Sequence, residues 1–426
     1  MFLSDLRLLN FRSYCDAAVA FGPGLNVVVG ANAAGKTNLL EGAFFALRGT
    51  SPRTRREEKL VAWGERFARV TVRLDGLGDR PQDVEVGYAP GDGKRVRWDG
   101  LEVAALDDLR RRCQVFIFVP ESLLLVKGSP ARRRAHLDAF AAAVDPPYAA
   151  GARDLQAALR QRNAQLANVR AGAPAVSLDP WDAQFARTAA ELGRRRAALV
   201  ADLSLRFAER AAALAPAGER FALQLVSQLA GLDYDQDALL ERMRERRPLE
   251  VQRGLTLFGP HRDDLRFLEV ADGAASGAEG AGDPGAEDTG DGSLGGENRR
   301  VQAGTGPSDP LMPGGSCGTV ALPAGGRDLR LFGSQGEQRA AVLALLLAEQ
   351  ALAAERTGDL GALFLDDVMS ELDDARRRLL VAMLAGAGQA IITTTNRHYF
   401  TDEELAAATV IELPLPPGLG SDRPRA

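Results

Sequence analysis

Apolar residues recur along this chain with two different periods, and the change from one to the other divides it. Near the start Phe2-Leu3-Ser4-Asp5-Leu6-Arg7-Leu8-Leu9 alternates like a half-buried strand, and Leu25-Asn26-Val27-Val28-Val29 is a short apolar run suited to a fully buried one. Residues 2–29 are thus expected to form two strands joined by a loop. Residues 70–74, 84–88 and 95–98 alternate again between glycine-rich turns, which predicts an antiparallel sheet covering one face. Residues 115–119 read as another buried strand. From Pro130 to about Arg247 the period lengthens: Leu155, Leu159 and Leu166, then Leu192, Leu199 and Leu203, stand at helical spacing. This predicts a helical lobe, broken between Gly172 and Pro180 into two long helices that pack antiparallel or join a small bundle. Strand signals return at 255–258, 265–270, 362–365 and 390–395, with a helix expected over 340–355. Strands and helices on either side of a helical insert make this an α/β chain.

Charge changes the picture in one place. The formal net charge is −5, but residues 272–326 hold eight acidic side chains against Arg299 and Arg300, so the remainder is close to neutral. That segment is rich in glycine, alanine and proline and poor in aromatic and β-branched residues, so it is read as a disordered insertion. The cationic stretch 53–59 suits a solvated loop and a DNA-phosphate contact equally. Arg132-Arg133-Arg134 and Arg194-Arg195-Arg196 are read as solvated helix faces. Cys15, Cys113 and Cys317 are far apart and form neither a disulfide framework nor a zinc site. No apolar run reaches the roughly 20 residues of a membrane span, so a cytoplasmic protein with no membrane partner is expected.

The candidate chemistry centres on Gly30-Ala31-Asn32-Ala33-Ala34-Gly35-Lys36-Thr37, which fits G-x-x-x-x-G-K-[ST] between the strand 25–29 and a helical segment beginning at Asn38. Backbone N–H groups of such a loop surround a β-phosphate, the lysine reaches the β- and γ-phosphates, and the threonine hydroxyl ligates Mg²⁺. Ser334-Gln335-Gly336-Glu337-Gln338 lies at a helix start, where a hydroxyl and free N–H groups offer a second grip on phosphate; an ordinary serine cap explains it as well. Leu363-Phe364-Leu365-Asp366-Asp367 ends an apolar strand in two carboxylates, Asp366 suited to the Mg²⁺ side and Asp367 to orienting an attacking water as general base. Ser370-Glu371-Leu372-Asp373 follows. Gln114 and Glu121 are weaker candidates for a lid between lobes.

Together these motifs resemble the RecF family of bacterial DNA replication and repair ATPases, related to the ABC-type heads of SMC and Rad50 proteins. The resemblance rests on Asn10-Phe11-Arg12-Ser13-Tyr14, Gly35-Lys36-Thr37-Asn38-Leu39-Leu40-Glu41, Lys127-Gly128-Ser129-Pro130 with Arg133-Arg134 and Leu137-Asp138, Gly259-Pro260-His261-Arg262-Asp263-Asp264, Ser334-Gln335-Gly336 with Gln338-Arg339, and Leu365-Asp366-Asp367 with Ser370 to Asp373. It implies an ABC-type P-loop ATPase head with an antiparallel β subdomain and a helical second lobe: head at 1–129, lobe at 130–250, return strands at 251–271, insertion at 272–326, the rest of the head at 327–415 and a flexible tail at 416–426. It implies ATP and Mg²⁺ bound by residues 30–38, with Ser334, Gln335, Gly336, Gln338 and Asp373 serving the nucleotide of a second copy. Lys36, Asp366 and Asp367 would be catalytic, with Thr37 and Asp366 on the metal. By the same resemblance an ATP-dependent homodimer clamps DNA at gaps and junctions, and with RecO and RecR promotes loading of RecA.

Some positions depart from the family. Glu337 stands where glutamine is frequent, Ala34 where glycine is, and His136 where an aromatic residue is usual; none removes a phosphate donor. Asp367, usual in RecF-like proteins, is a methylene shorter than the glutamate of many ABC-type enzymes, so slow turnover is expected, about 1 per minute or less. No switch histidine follows residues 393–396, His398 lying too late. The alternatives are the ATPase subunit of a membrane transporter and a small-molecule kinase. The long separation of Thr37 from Ser334 and the run 259–264 speak against the first, and Ser334 to Arg339 has no use in the second.

Overall fold

A computed structural model describes residues 1–215, 218–270 and 326–414. Most of the insertion expected at 272–326, and the tail expected at 416–426, lie outside the described residues. The first three strands are β1 (Phe2–Phe11), β2 (Tyr14–Ala20) and β3 (Leu25–Val29), so the N-terminal stretch holds three strands where its alternation predicted two. Asn10 and Arg12 take left-handed φ values at the β1–β2 reversal, which places the turn inside the run read as a loop. Strands β4 (Ala68–Asp75), β5 (Gln82–Ala89), β6 (Gly93–Trp98) and β7 (Leu101–Glu102) complete an antiparallel sheet of order β2-β1-β4-β5-β6-β7. Its inward residues are apolar and its outward ones pair across strands, as in Arg73 with Asp83 at 3.0 Å.

The second sheet is parallel and fully covered. It runs β14-β3-β13-β12-β8, with β8 at Val115–Phe118, β12 at Ala362–Asp366, β13 at Gln389–Thr394 and β14 at Thr409–Glu412. Period-two alternation divides its residues between two cores. Val28, Phe364 and Ile391 face the antiparallel sheet and the helix Lys36–Arg48, while Val27, Leu363, Leu365 and Ile392 face the helical side. The helix Gln335–Thr357 is apolar almost all round and is buried between this sheet and the lobe.

The lobe contains the helices Pro130–Val144, Pro146–Arg170, Asp179–Ala213 and Gln236–Arg253. The two longest flank the expected break. A third, small sheet of β9 (Phe221–Val226), β10 (Asp264–Glu269) and β11 (Arg327–Asp328) joins the lobe to the head. Strand β9 lies within a stretch expected to be helical.

Two expectations are corrected here. Residues 255–258 form no strand. Their backbone is held by side chains instead: Thr256 N donates to Asn163 Oδ1 and Leu257 N to Glu250 Oε1, both at 2.7–2.8 Å. The arginine clusters are not uniformly solvated either, because Arg133 and Arg196 are buried. Arg133 makes a two-pronged pair with Asp264 at 2.7 and 2.8 Å, and Arg196 bonds Asp263, Asp138, the Tyr148 hydroxyl and the Pro260 carbonyl. The run 259–264 is therefore a knot tying lobe to head. Gly259 has φ 135°, and a Cβ there would stand 2.8 Å from the Phe185 ring.

Candidate nucleotide site

Three neighbouring strands of the parallel sheet, β3, β13 and β12, end at one crevice, the place where open α/β sheets put their ligands. From β3 the chain turns through Gly30–Gly35 into the helix Lys36–Arg48. Gly35 takes φ 97°, and a Cβ there would lie 2.7 Å from the Tyr14 hydroxyl, which itself donates to the Gly35 carbonyl at 3.1 Å. Glycine is required on both counts. The Gly30 N–H is held by the Thr394 carbonyl, which ties the loop to β13. Lys36 is buried, its Nζ donating to the carbonyls of Gly30 and Ala31 at 2.8 and 2.9 Å.

Thr37 and Asp366 are brought together from positions 329 residues apart. Thr37 Oγ1 donates to Asp366 Oδ2 at 2.7 Å, and Thr393 Oγ1 donates to Asp366 Oδ1 at the same distance. Burial pushes the Asp366 carboxyl above the usual carboxylate range, with the charge of Asp367 adding to the effect and the two threonine hydrogen bonds opposing it. Asp367 follows in a left-handed conformation, φ 48°, its N–H held by Thr393 Oγ1 at 3.0 Å. Its Oδ1 is buried with no hydrogen-bond partner among the described residues. A carboxylate oxygen kept from water and unpaired is a ready acceptor for a water or metal-bound group. Thr37 and Asp366 could hold a divalent ion that drew its other oxygen ligands from phosphate and water. Among the described residues no cluster of three or more His, Cys, Asp or Glu side chains offers a metal site of another kind.

The run Asn10–Tyr14 packs beside this loop. Arg12 grips Glu41 through two bonds of 2.9 and 2.7 Å, Arg53 reaches Glu41 and Asn38 at 3.2 Å each, and Asn38 Nδ2 donates to Ser13 Oγ. Arg53 is thereby engaged within the protein. Sequence reasoning missed Glu41 as the hub and Thr393 as the clasp, although a polar end to the strand 390–395 was visible.

Ser334 caps the helix Gln335–Thr357 in a reciprocal box: its Oγ accepts from Glu337 N at 3.2 Å, and its own N–H donates to Glu337 Oε2 at 2.7 Å. Gln338 is buried, bonding the carbonyls of Leu329 and Gly333. Gly336 and Gln335 lie in the first turn. Asp373 caps the helix Asp374–Leu384 by accepting from Arg376 N at 2.9 Å. Among the described residues no hydrogen bond or ion pair joins residues 334–338 to residues 30–38 within one chain. Gln114 is buried and Glu121 stands 3.7 Å from Arg53, both beside the seam between head and lobe. His136 pairs with Glu349 at 2.8 Å, and His398 lies in an exposed turn.

Comparison with known proteins bears on the chain as a whole. The family model described as the RecF/RecN/SMC N terminal domain matches residues 2–412. The chain is 31% identical over 389 residues to the DNA replication and repair protein RecF of Limosilactobacillus fermentum, covering 89% of each. It is 32% identical over 388 residues to the protein of the same name from Halalkalibacterium halodurans, again covering 89% of each. A solved structure described as the recombination mediator protein RecF with ATP in the RecFOR pathway superposes with a TM-score of 0.72 at 24% identity, covering 94% of this chain and 93% of that one. The extent of these matches, joined to a mixed α/β head of parallel and antiparallel sheets with a helical lobe, places the chain in the RecF family.

Proposed function

We propose that this protein is an ATP-gated DNA clamp of recombinational repair and replication. Residues 30–38 bind ATP, with Lys36 on the β- and γ-phosphates and Mg²⁺ shared by Thr37 and Asp366. Asp367 orients the attacking water. Ser334, Gln335, Gly336, Gln338 and Asp373 belong to the second half of the site, on a partner copy. The observation that carries the reading is the Thr37–Asp366 hydrogen bond of 2.7 Å beside the unpartnered Asp367 oxygen. A signature helix that caps itself and makes no polar contact with its own phosphate loop supports service to a second copy. ATP then joins two heads, and hydrolysis parts them. The relatives' printed names support work in DNA replication and repair, and the structural relative's description supports the RecFOR pathway; action with RecO and RecR in loading RecA is part of the proposal. Gapped or junction DNA is the proposed substrate, and the cytoplasm the proposed compartment. Among the described residues no helix is long and apolar enough to cross a membrane.

The test is sedimentation of the full chain with and without ATP and gapped DNA, beside Lys36→Arg and Ser334→Arg. Dimers that need ATP, retain DNA and fail in both variants are expected. A protein that stays monomeric with ATP and leaves DNA free would overturn the reading. Turnover is expected at about 1 per minute or less, and a steady rate above about 10 per second would overturn the assignment of a poorly aligned water to Asp367.

A further inference from the structure

A cavity of about 690 Å³ lies in the seam between the head and the helical lobe, lined in part by Ser51 and Arg53, both of which bond the phosphate loop's hub Glu41. Its size is that of a small-molecule site. One wall is apolar and aromatic, with Phe44, Phe116, Phe140 and Leu346 among its residues. The rest is cationic: five arginines, at 48, 53, 55, 110 and 132, face two carboxylates, Glu121 and Glu349. Glu349 is engaged with His136 at 2.8 Å, while Glu121 lies 3.7 Å from Arg53 and keeps its Oε2 buried without a hydrogen-bond partner among the described residues. Arg55 and Arg132 form no ion pair among the described residues, and Arg48 feels only the longer-range charge of Glu349. Arg55 and Arg132 are exposed at the mouth, where the small side chain of Ala139 is exposed too.

Arg48 sits deeper, half-buried, with one hydrogen bond of 3.3 Å to the Arg110 carbonyl. Burial, and then the nearby Arg110 charge, pulls its guanidinium down to about 10, with Cys113 and Glu349 opposing. A cation so placed gains from an anion brought beside it. An apolar lining with aromatic ring edges, together with guanidinium groups that make no ion pair, fits a ligand with an aromatic body and a phosphate, since bases pack on aromatic rings and arginine pairs phosphate through two parallel bonds.

We propose that this cavity takes one nucleoside phosphate, its base against the Phe116 and Phe140 wall and its phosphate on Arg55 and Arg132. An unstacked nucleotide of a single strand and a free mononucleotide share that chemistry. In the first case the site gives the clamp its means of telling a gap from plain duplex, and in that form the proposal rests on the clamp reading.

The experiment uses the full chain with the phosphate loop saturated by a slowly hydrolysed ATP analogue. Binding of labelled oligo-dT, gapped duplex and plain duplex is followed by fluorescence anisotropy, and binding of dTMP by equilibrium dialysis. The variants are Ala139→Phe, which fills the mouth, and Arg55→Ala with Arg132→Ala, which removes the phosphate cations and leaves the packing alone. Loss of about tenfold in affinity for oligo-dT and gapped DNA in both, with duplex and ATP-analogue binding retained, is expected, tenfold being within the contribution of one stacked base. Loss of dTMP binding alone would assign the site to a free nucleotide. Unchanged binding of every probe in both variants would overturn the site while leaving the clamp reading intact. A wild-type chain that binds neither DNA nor dTMP would overturn both.

Discussion

The candidate nucleotide site and the helical lobe both bury charge, and they handle it in opposite ways. In the lobe Arg162 is fully buried, and its three guanidinium nitrogens meet Asp182 at 2.7 Å, Thr256 at 2.8 Å and Glu250 at 2.6 Å. Arg196 and Arg133 are served as thoroughly by Asp138, Asp263 and Asp264. At the crevice, Asp366 is held above its ordinary pKa, Asp367 keeps a buried oxygen without a partner, and Lys36 has only loop carbonyls to bond. A group whose partners are complete has nothing left for a ligand, and a group short of partners does. The lobe's buried arginines therefore serve cohesion, although their partner Asp263 is itself raised by burial and keeps Oδ1 unpaired, while the crevice's charges are left able to meet a ligand.

Removing one member of a complete set should be the most damaging change. Arg162→Met leaves Asp182 and Glu250 buried with one partner fewer and is expected to cost about 3–5 kcal/mol in urea unfolding. A loss under about 1 kcal/mol would erase the contrast between the regions. Asp366→Asn should behave in reverse. ATP turnover is expected to fall roughly 100-fold or more. Stability in the same unfolding assay should change by less than about 1 kcal/mol, because a carboxylate that burial disfavours is removed.

A finer test is the coupling between Arg133 and Asp264, which joins the lobe to β10. A double-mutant cycle of Arg133→Ala and Asp264→Asn is expected to return a coupling near the upper end of about 0.5–3 kcal/mol. A value near zero would mean the knot at 259–264 is held by its backbone alone.

The smallest effects come from two histidines with opposite signs. For His136 burial lowers the pKa, but the charge and hydrogen bond of Glu349 outweigh it, so the folded value lies above the ordinary 6.5. Its contribution is complete below 6.5 and is lost as pH rises through the folded value. For His261 burial dominates and pulls the folded value down to about 4, so its contribution is complete above 6.5 and is lost as pH falls toward 4. Urea midpoints measured from pH 4 to pH 8 should lose their decline above 6.5 in His136→Gln and their acid-side decline in His261→Asn. The same profile in both variants as in the parent would refute these assignments.

Much of the nucleotide site was legible because its signals are local. Strand, glycine loop and helix follow one another over 25–48, and an apolar strand ending in Asp366-Asp367 declares itself within a few residues. The buried arginines were misread for the converse reason. Arg133 finds Asp264 across 131 residues and Arg196 finds Asp263 across 67, and no periodicity records such a partner. A basic triplet on a helix looks solvated until the opposing acid is known. Residues 255–258 alternate like a strand, yet Asn163 and Glu250 had already taken their backbone donors. Strand β9 escaped notice because its six residues lie between long helices and pair only with the distant β10.

What the sequence by itself determined is the set of elements whose causes are close along the chain: the phosphate loop with its required Gly35, the carboxylate pair, the Ser334 cap and the two hydrophobic periods. The tertiary structure alone decided which charges are complete and which are left wanting. It set Thr37 against Asp366, closed Thr393 over both aspartates, and buried Arg162 and Arg196 among acids from other elements. The physical reason is range. Backbone conformation and hydrophobic period are fixed by neighbours a few residues away, whereas the pairing of a buried charge depends on what the fold carries to within about 3 Å of it.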